Sequence, residues 1–262
     1  MAQTGPQSMS GAWSVQLLGL FLVSHAGSVV PDSAWRCQNA GAIVAYLALQ
    51  GPTHREKLMD LFWPECAYAH ARANLGSIVR YARTALLGAA PNAEHPILYQ
   101  RGIYALGDDG PWVTDVQRFH ERLKSAREAS SPPDRIPRYQ QALDLYSGEL
   151  LPGYYHDWAV KLREGERQAF LEAGEEMAYT CWQTGHNPEA IAAGRRVIQE
   201  EPTSETAYRV LMRSYAALDR VDQVALHYRK LCQTLRSQLD VGPSDESQRL
   251  YHELTSHHTP TG

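Results

Sequence analysis

Residues 53–87 constrain this chain more than any other tract. Thr53-His54-Arg55-Glu56 has the form of a capping box, in which a hydroxyl takes an amide three residues on and the glutamate reaches back. A helix is therefore expected to start there. Leu58, Leu61 and Phe62 recur at helical spacing, and Pro64 ends the run because the residue before a proline is pushed out of the α region. A second helix is expected over about 69–87, with Leu75, Ile78, Val79, Ala82 and Leu86 in one apolar stripe. Its other side carries His70, Arg72, Asn74, Ser77, Arg80, Tyr81, Arg83 and Thr84, with no acid among them. A short helix, a tight break and a helix of about 28 Å with an acid-free polar side predict a helix-turn-helix.

The flanking sequence supplies what such a motif packs against. Trp13, Val15 and Leu17 alternate as in a strand, Gly19 interrupts, residues 20–23 resume, and Ser28-Val29-Val30 predicts a third short strand. The apolar run 13–23 invites comparison with a secretory signal, which requires a basic leading region, whereas the first basic residue is Arg36. It is also too short to span a bilayer. Residues 40–49 are apolar nearly all round, as in a buried helix, and Gly51-Pro52 stops it. After Pro96, Ile97–Gln100 and Ile103–Leu106 flank Arg101-Gly102, which predicts a β-hairpin. Three helices and a hairpin make a winged helix with Arg101 at the tip of its wing.

Gly107-Asp108-Asp109-Gly110-Pro111 punctuates the chain, and everything beyond it reads as helical. Helices are expected over 116–128 and 135–146, with another beginning at Trp158. Ala178, Gly185, Ala190 and Pro202 then occupy positions 8, 15, 20 and 32 of a tetratricopeptide unit. A shift of 34 residues finds a degenerate second unit in which Tyr215 and Tyr228 keep the aromatic places. Gly242-Pro243 is expected to close one helix and Ser244 or Asp245 to cap the last. The expected fold is an α+β winged-helix domain over 12–109 followed by an all-α, tetratricopeptide-like solenoid over 112–255, mainly α in total. Residues 1–11 and 257–262 are expected to be disordered.

The net charge of the 262 residues is -4, so a nucleic-acid surface would have to be local. Residues 66–107 hold four arginines against Glu94, which is such a local bias. Arg72, Arg80, Arg83 and Arg101 are candidates for phosphate or guanine contacts, and Asn74, Ser77, Tyr81 and Thr84 for base edges. In the solenoid, repeat geometry directs Glu172, Glu175, Tyr179 and Trp182 into a groove, joined by Thr206, Arg209 and Arg213. Four scattered cysteines form neither a disulfide framework nor a metal site, and no phosphate loop, dinucleotide fingerprint or nucleophile elbow is present. No catalytic residue, metal or cofactor is expected.

Several stretches together resemble one family. They are Leu17-Leu18-Gly19-Leu20-Phe21, Ala45-Tyr46-Leu47-Ala48-Leu49, Arg55-Glu56-Lys57-Leu58-Met59-Asp60-Leu61-Phe62-Trp63-Pro64-Glu65, and Ala71-Arg72-Ala73-Asn74-Leu75. Beyond the wing come Asp115-Val116 with Phe119, Leu145-Tyr146-Ser147-Gly148 and Val241-Gly242-Pro243. The ordered set, from about residue 14 to 254, resembles the SARP-type antibiotic-pathway regulators and their relatives. These join an OmpR-type winged helix to a bacterial transcriptional activator domain. The resemblance implies a cytoplasmic transcriptional regulator, not an enzyme, that binds double-stranded DNA through the 69–87 helix and the 97–106 wing. It implies a homodimer, and RNA polymerase or another regulator as partner. The alternative left open is a protein–protein adaptor whose winged helix no longer binds DNA.

Overall fold

The computed structural model describes residues 11–107 and 110–256. The expectations for 1–10, Asp108-Asp109 and 257–262 lie outside them. By its internal contacts the chain forms two compact units. One runs to His120 and takes in Leu145–Glu166, and the other comprises Glu121–Asp144 and the chain from Arg167 onward.

The first unit opens with β1 (Trp13–Gln16), β2 (Leu22–His25) and β3 (Ser28–Val29), which pair antiparallel in series. The second strand starts two residues later than the apolar run at Leu20 suggests, because Leu18 bridges Leu150 instead. A 3-10 turn, Asp32–Trp35, leads into α1 (Gln38–Gln50), whose residues 40–47 are all buried. This is the all-round apolar helix that the sequence predicts. Then come β4 (Thr53–His54), α2 (Arg55–Phe62), α3 (Tyr68–Ala89), β5 (Ile97–Gln100) and β6 (Ile103–Leu106).

The capping box does not form. Thr53 is a strand residue opposite Tyr104, and its hydroxyl donates to the Gly51 carbonyl at 2.9 Å. His54 precedes α2 without a capping side chain, and the Arg55 N–H donates to Gly102 O at 2.8 Å. Strand pairing across to the wing has replaced a local cap. The hairpin itself has the predicted register, Ile97 opposite Leu106 and Gln100 opposite Ile103. Its two-residue turn puts Arg101 at φ 50° and Gly102 at φ 83°, the twist that matches right-handed strands.

The sequence alone suggests a wholly helical chain past residue 110, and the structure corrects this. Trp112–Thr114 forms β7, parallel to β1, and the sheet order becomes β3-β2-β1-β7. Trp112 stacks on the buried Trp13 at 4.5 Å. A three-residue strand is shorter than any alternating pattern can announce, and its partner lies about a hundred residues away. Next, α4 (Asp115–Arg127) begins with a carboxylate that accepts the Leu17, Leu18 and Val116 N–H groups, each at 2.9 Å.

Leu145–Glu166 completes this unit. The Ser147 hydroxyl donates to Leu18 O at 2.6 Å, Gly19 N–H donates to Glu149 O at 2.9 Å, and Leu151 N–H donates to Leu17 O at 2.8 Å. A Cβ on Gly148 would stand 3.1 Å from the Gly19 Cα, so the two backbones meet where neither has a side chain. Arg163 then ties down the carbonyls of Leu150, Leu151 and Tyr154. Asp115 and the Tyr146-Ser147-Gly148 stretch, two of the resemblance motifs, are thus the clasp on the end of β1. Trp158 closes an aromatic cluster with Tyr46 and Phe62.

The second unit contains the rest of α4, α5 (Pro132–Leu143), the later part of α6 (Asp157–Gln183), α7 (Asn187–Glu200), α8 (Glu205–Ala217), α9 (Val221–Leu239) and α10 (Asp245–Ser256). Helices α7 to α10 alternate in the tetratricopeptide manner. Ala178 and Ala190 are fully buried, and Leu211, Met212, Tyr215, Val224 and Leu250 form one core cluster. Ser204 caps α8 and Ser131 caps α5, each accepting the amide three residues on. Gly242 does not end α9. Asp240, at φ 55°, takes the left-handed cap, and Ser244 caps α10 while its own N–H is held by Glu205. No helix among the described residues is long and apolar enough to cross a membrane.

Candidate nucleic-acid interface and partner groove

Helix α3 turns about 100° per residue, and its burial sorts the candidate residues by face. Leu75, Ile78, Val79, Ala82, Ala85 and Leu86 are buried. The open side is centred on Ala73, Arg80 and Thr84, with Gly76, Ser77 and Gly88 beside them, and carries no acid. Arg72 and Arg83 lie on the shoulder toward the wing, and Asn74 and Tyr81 on the opposite shoulder. Small side chains around one arginine let a helix backbone come near whatever that face meets.

The eight candidates do not share one situation. Arg72, Asn74, Arg80, Thr84 and Arg101 are exposed, while Ser77, Tyr81 and Arg83 are half-buried. Arg83 is spent inside the fold: its Nε and one Nη donate to the Ile97 carbonyl at 2.9 and 2.7 Å, anchoring β5 to α3. The Thr84 hydroxyl folds back onto Arg80 O at 3.0 Å. Arg101, at its positive φ, projects from the tip of the wing.

Two arginines that sequence reasoning did not rank hold the edges of this surface. Arg55 donates to the Tyr99 hydroxyl on β5 at 3.1 Å and to the Tyr68 hydroxyl at the start of α3 at 3.2 Å, and pairs with Glu56 at 2.8 Å. Its hydrogen bond to Glu56 raises its pKa further and holds the Glu56 carboxyl below its ordinary value. Tyr99 and Tyr104 sit opposite each other on the hairpin with rings 4.5 Å apart. Burial, and then Tyr99, push the Tyr104 hydroxyl up, against a smaller downward pull from Arg83, Arg55 and Arg72. The two tyrosines meet only through the register of the hairpin. Their partner Arg55 was hidden inside an apparent capping box.

Arg36 stands on the other shoulder. Its guanidinium lies 5.4 Å from the Tyr81 ring centroid, as does that of Arg80. Arg36 is the centre of a tight three-residue turn: Cys37 N–H donates to Trp35 O at 2.7 Å, with Arg36 at φ 58°, ψ -31°. That is the rare, strained γ-turn, a conformation that costs on the order of 1–3 kcal/mol. No spacing in the sequence signals it.

In the second unit the groove candidates divide. Tyr179 and Trp182 lie with ring centroids 5.5 Å apart, and the Arg213 guanidinium is 5.1 Å from the Trp182 ring. Glu175 accepts the Ser204 hydroxyl at 2.6 Å, and Glu172 takes Gln168 at 3.0 Å with Arg127 at 3.8 Å. Arg209 is not with Trp182: it bonds Ser247 at 3.2 Å and reaches Glu246 at 3.4 Å on α10, while Thr206 accepts its other amine. Tyr179, Trp182 and Arg213 are what the fold brings together. Among the described residues no group of three histidines, cysteines or carboxylates could hold a metal.

Comparison with known proteins assigns the fold. The bacterial transcriptional activator domain matches residues 114–255. Regulatory protein DnrI of Streptomyces peucetius is 28% identical over 254 residues, covering 92% of this chain and 91% of DnrI. The Mycobacterium tuberculosis EmbR structure, solved with a low-affinity phosphopeptide, superposes with a TM-score of 0.73 at 21% identity. The match covers 94% of this chain and 65% of EmbR. That family match spans more than half the residues, and the chain belongs to the bacterial transcriptional activator domain family of SARP-type transcriptional regulators, which are not enzymes.

Proposed function

We propose that the chain binds double-stranded DNA with α3 in the major groove and the wing hairpin beside it, in the cytoplasm. The observation that carries this reading is the open face of α3, free of acid and built of small residues around Arg80. Arg80 and Arg72 would meet phosphate or a guanine edge, Asn74 and Ser77 base edges, and Arg101 the flanking backbone. Tyr81 would support Arg80 from beside it. Arg83 and Arg55 serve this surface indirectly, by fixing β5 and Tyr99 against α3. In this reading residues 12–109 do the DNA-facing work and 112–255 the protein-facing work.

So few exposed cations predict modest affinity, and two protomers on repeated half-sites would compensate. We therefore propose a homodimer, with Tyr179, Trp182 and Arg213 as the contact for RNA polymerase or another regulator. Mobility shifts on genomic fragments at two salt concentrations test the reading. Arg80→Ala is expected to weaken binding about tenfold or more, since a good base contact is worth roughly 1–3 kcal/mol. One observation favours the second reading, an adaptor that no longer binds DNA: Arg83 has left the open face for the Ile97 carbonyl. No retardation at low salt by a folded chain would select that adaptor.

A further inference from the structure

Beside the 3-10 turn lies a cavity of about 580 Å³, open broadly to solvent, that the DNA reading does not use. Its size is that of a small-molecule site. Three aromatic rings wall it: Phe21 lies 5.4 Å from Trp35 and 5.6 Å from Tyr154, centroid to centroid. The wall is closely fitted to α1, because a Cβ on Gly41 would stand 2.6 Å from the Phe21 ring and 2.9 Å from the Tyr154 hydroxyl. Asp32 brings a carboxylate to the same space. Burial, and then the charge of Asp32, push the Tyr154 hydroxyl up to about 12, so it stays a hydrogen-bond donor. The basic residue of the lining is Arg36, and its guanidinium lies over the Tyr81 ring of α3.

A partly exposed aromatic ring, Phe21, with the exposed carboxylate of Asp32 in the same lining is the chemistry that holds an organic cation. The geometry points to this cavity as a binding site for a small aromatic molecule carrying a protonated amine. Its ring would lie against Phe21, which is backed by the buried Trp35 and Tyr154, its amine would face Asp32, and its presence would be felt by α3 through Arg36 and Tyr81. The strained turn is the relay: a residue held at φ 58° persists only while its surroundings hold it. A cation in the cavity repels the Arg36 guanidinium and so holds it in the place over Tyr81 that it already occupies, fixing its positive charge beside Arg80. The effect on DNA rests on the function proposed above, whereas the binding itself does not.

Calorimetry on the full chain with tryptamine and with indole-3-acetate tests the site. Saturable one-site binding of tryptamine is expected, at least tenfold tighter than that of indole-3-acetate, and Asp32→Asn, an exposed substitution, erases the preference. No saturable heat, equal binding of the two probes, or an unaffected Asp32→Asn overturns the site. For the relay, saturating tryptamine is expected to raise affinity for a retarded DNA fragment at least threefold in the wild type and not in Arg36→Gln. Unchanged or weakened affinity in the wild type, or the same rise in Arg36→Gln, overturns the relay. A chain that retards no DNA with or without tryptamine overturns the DNA reading and the relay together, while the calorimetry still decides the cavity.

Discussion

Gly76 and His227 show how much single positions carry. Gly76 lies mid-helix with nothing within 4 Å of where a Cβ would be, so only backbone entropy argues against it in the folded chain. Gly76→Ala is expected to stabilise the protein by about 1 kcal/mol in denaturant melts. If the open face of α3 meets a groove, the same methyl weakens DNA binding, and a gain on both counts would argue against close approach there. His227 is 7% exposed, its Nδ1 has no partner, and it stacks on Tyr215 at 5.2 Å. Burial, aided by Lys230 and Arg195, pushes it down to about 4 from the ordinary 6.5. The folded state prefers the neutral ring, so this contribution to stability is complete above pH 6.5. It is lost as pH falls toward 4, up to about 3 kcal/mol at 1.36 kcal/mol per pH unit. His227→Phe should flatten that part of the stability curve, measured against wild type at each pH.

The wing is the element whose local rules and function pull apart. Its register and turn follow from two β-rich runs around Arg101-Gly102, yet arginine is a poor choice at φ 50°, where asparagine is at ease. Arg101→Asn is therefore expected to hold or slightly raise thermal stability. It should also lower the slope of log affinity against log salt by about one. A variant with unchanged salt slope would remove the wing tip from the DNA contact. α3 shows the converse. Its apolar stripe was readable from spacing alone, but which arginines stay free was not, since the Ile97 carbonyl that takes Arg83 belongs to a strand fourteen residues on.

Across the whole molecule, the first unit is completed by chain that follows the glycine-rich punctuation. β7 covers Trp13, Asp115 holds the end of β1, and Leu145–Glu166 supplies Ser147, Arg163 and Trp158. A fragment ending at Asp109 loses all of these and leaves the Leu17 and Leu18 amides without their acceptor, each orphan worth roughly 1–3 kcal/mol. It is expected to melt well below the intact chain or without a cooperative transition in calorimetry. Cooperative unfolding at the temperature of the intact protein would show that residues 12–109 stand alone.

Elements with internal periodicity were legible from residue order: the all-round apolar α1, the stripe of α3, the hairpin, and the 34-residue recurrence that places α7 to α9. The first three are set by contacts a few residues apart, which spacing encodes, and the last recurs because each helix pair packs on the next. Whatever depended on a partner far along the chain was not. β7 is three residues long, the strand at Thr53 looked like a helix cap, and the strained turn at Arg36 carries no motif. Arg83 and Arg209 looked like free cations until the carbonyl of Ile97 and the α10 residues Ser247 and Glu246 were brought to them. Side chains of this length find their acceptors by folding, and only the tertiary arrangement decides which of them remain facing solvent.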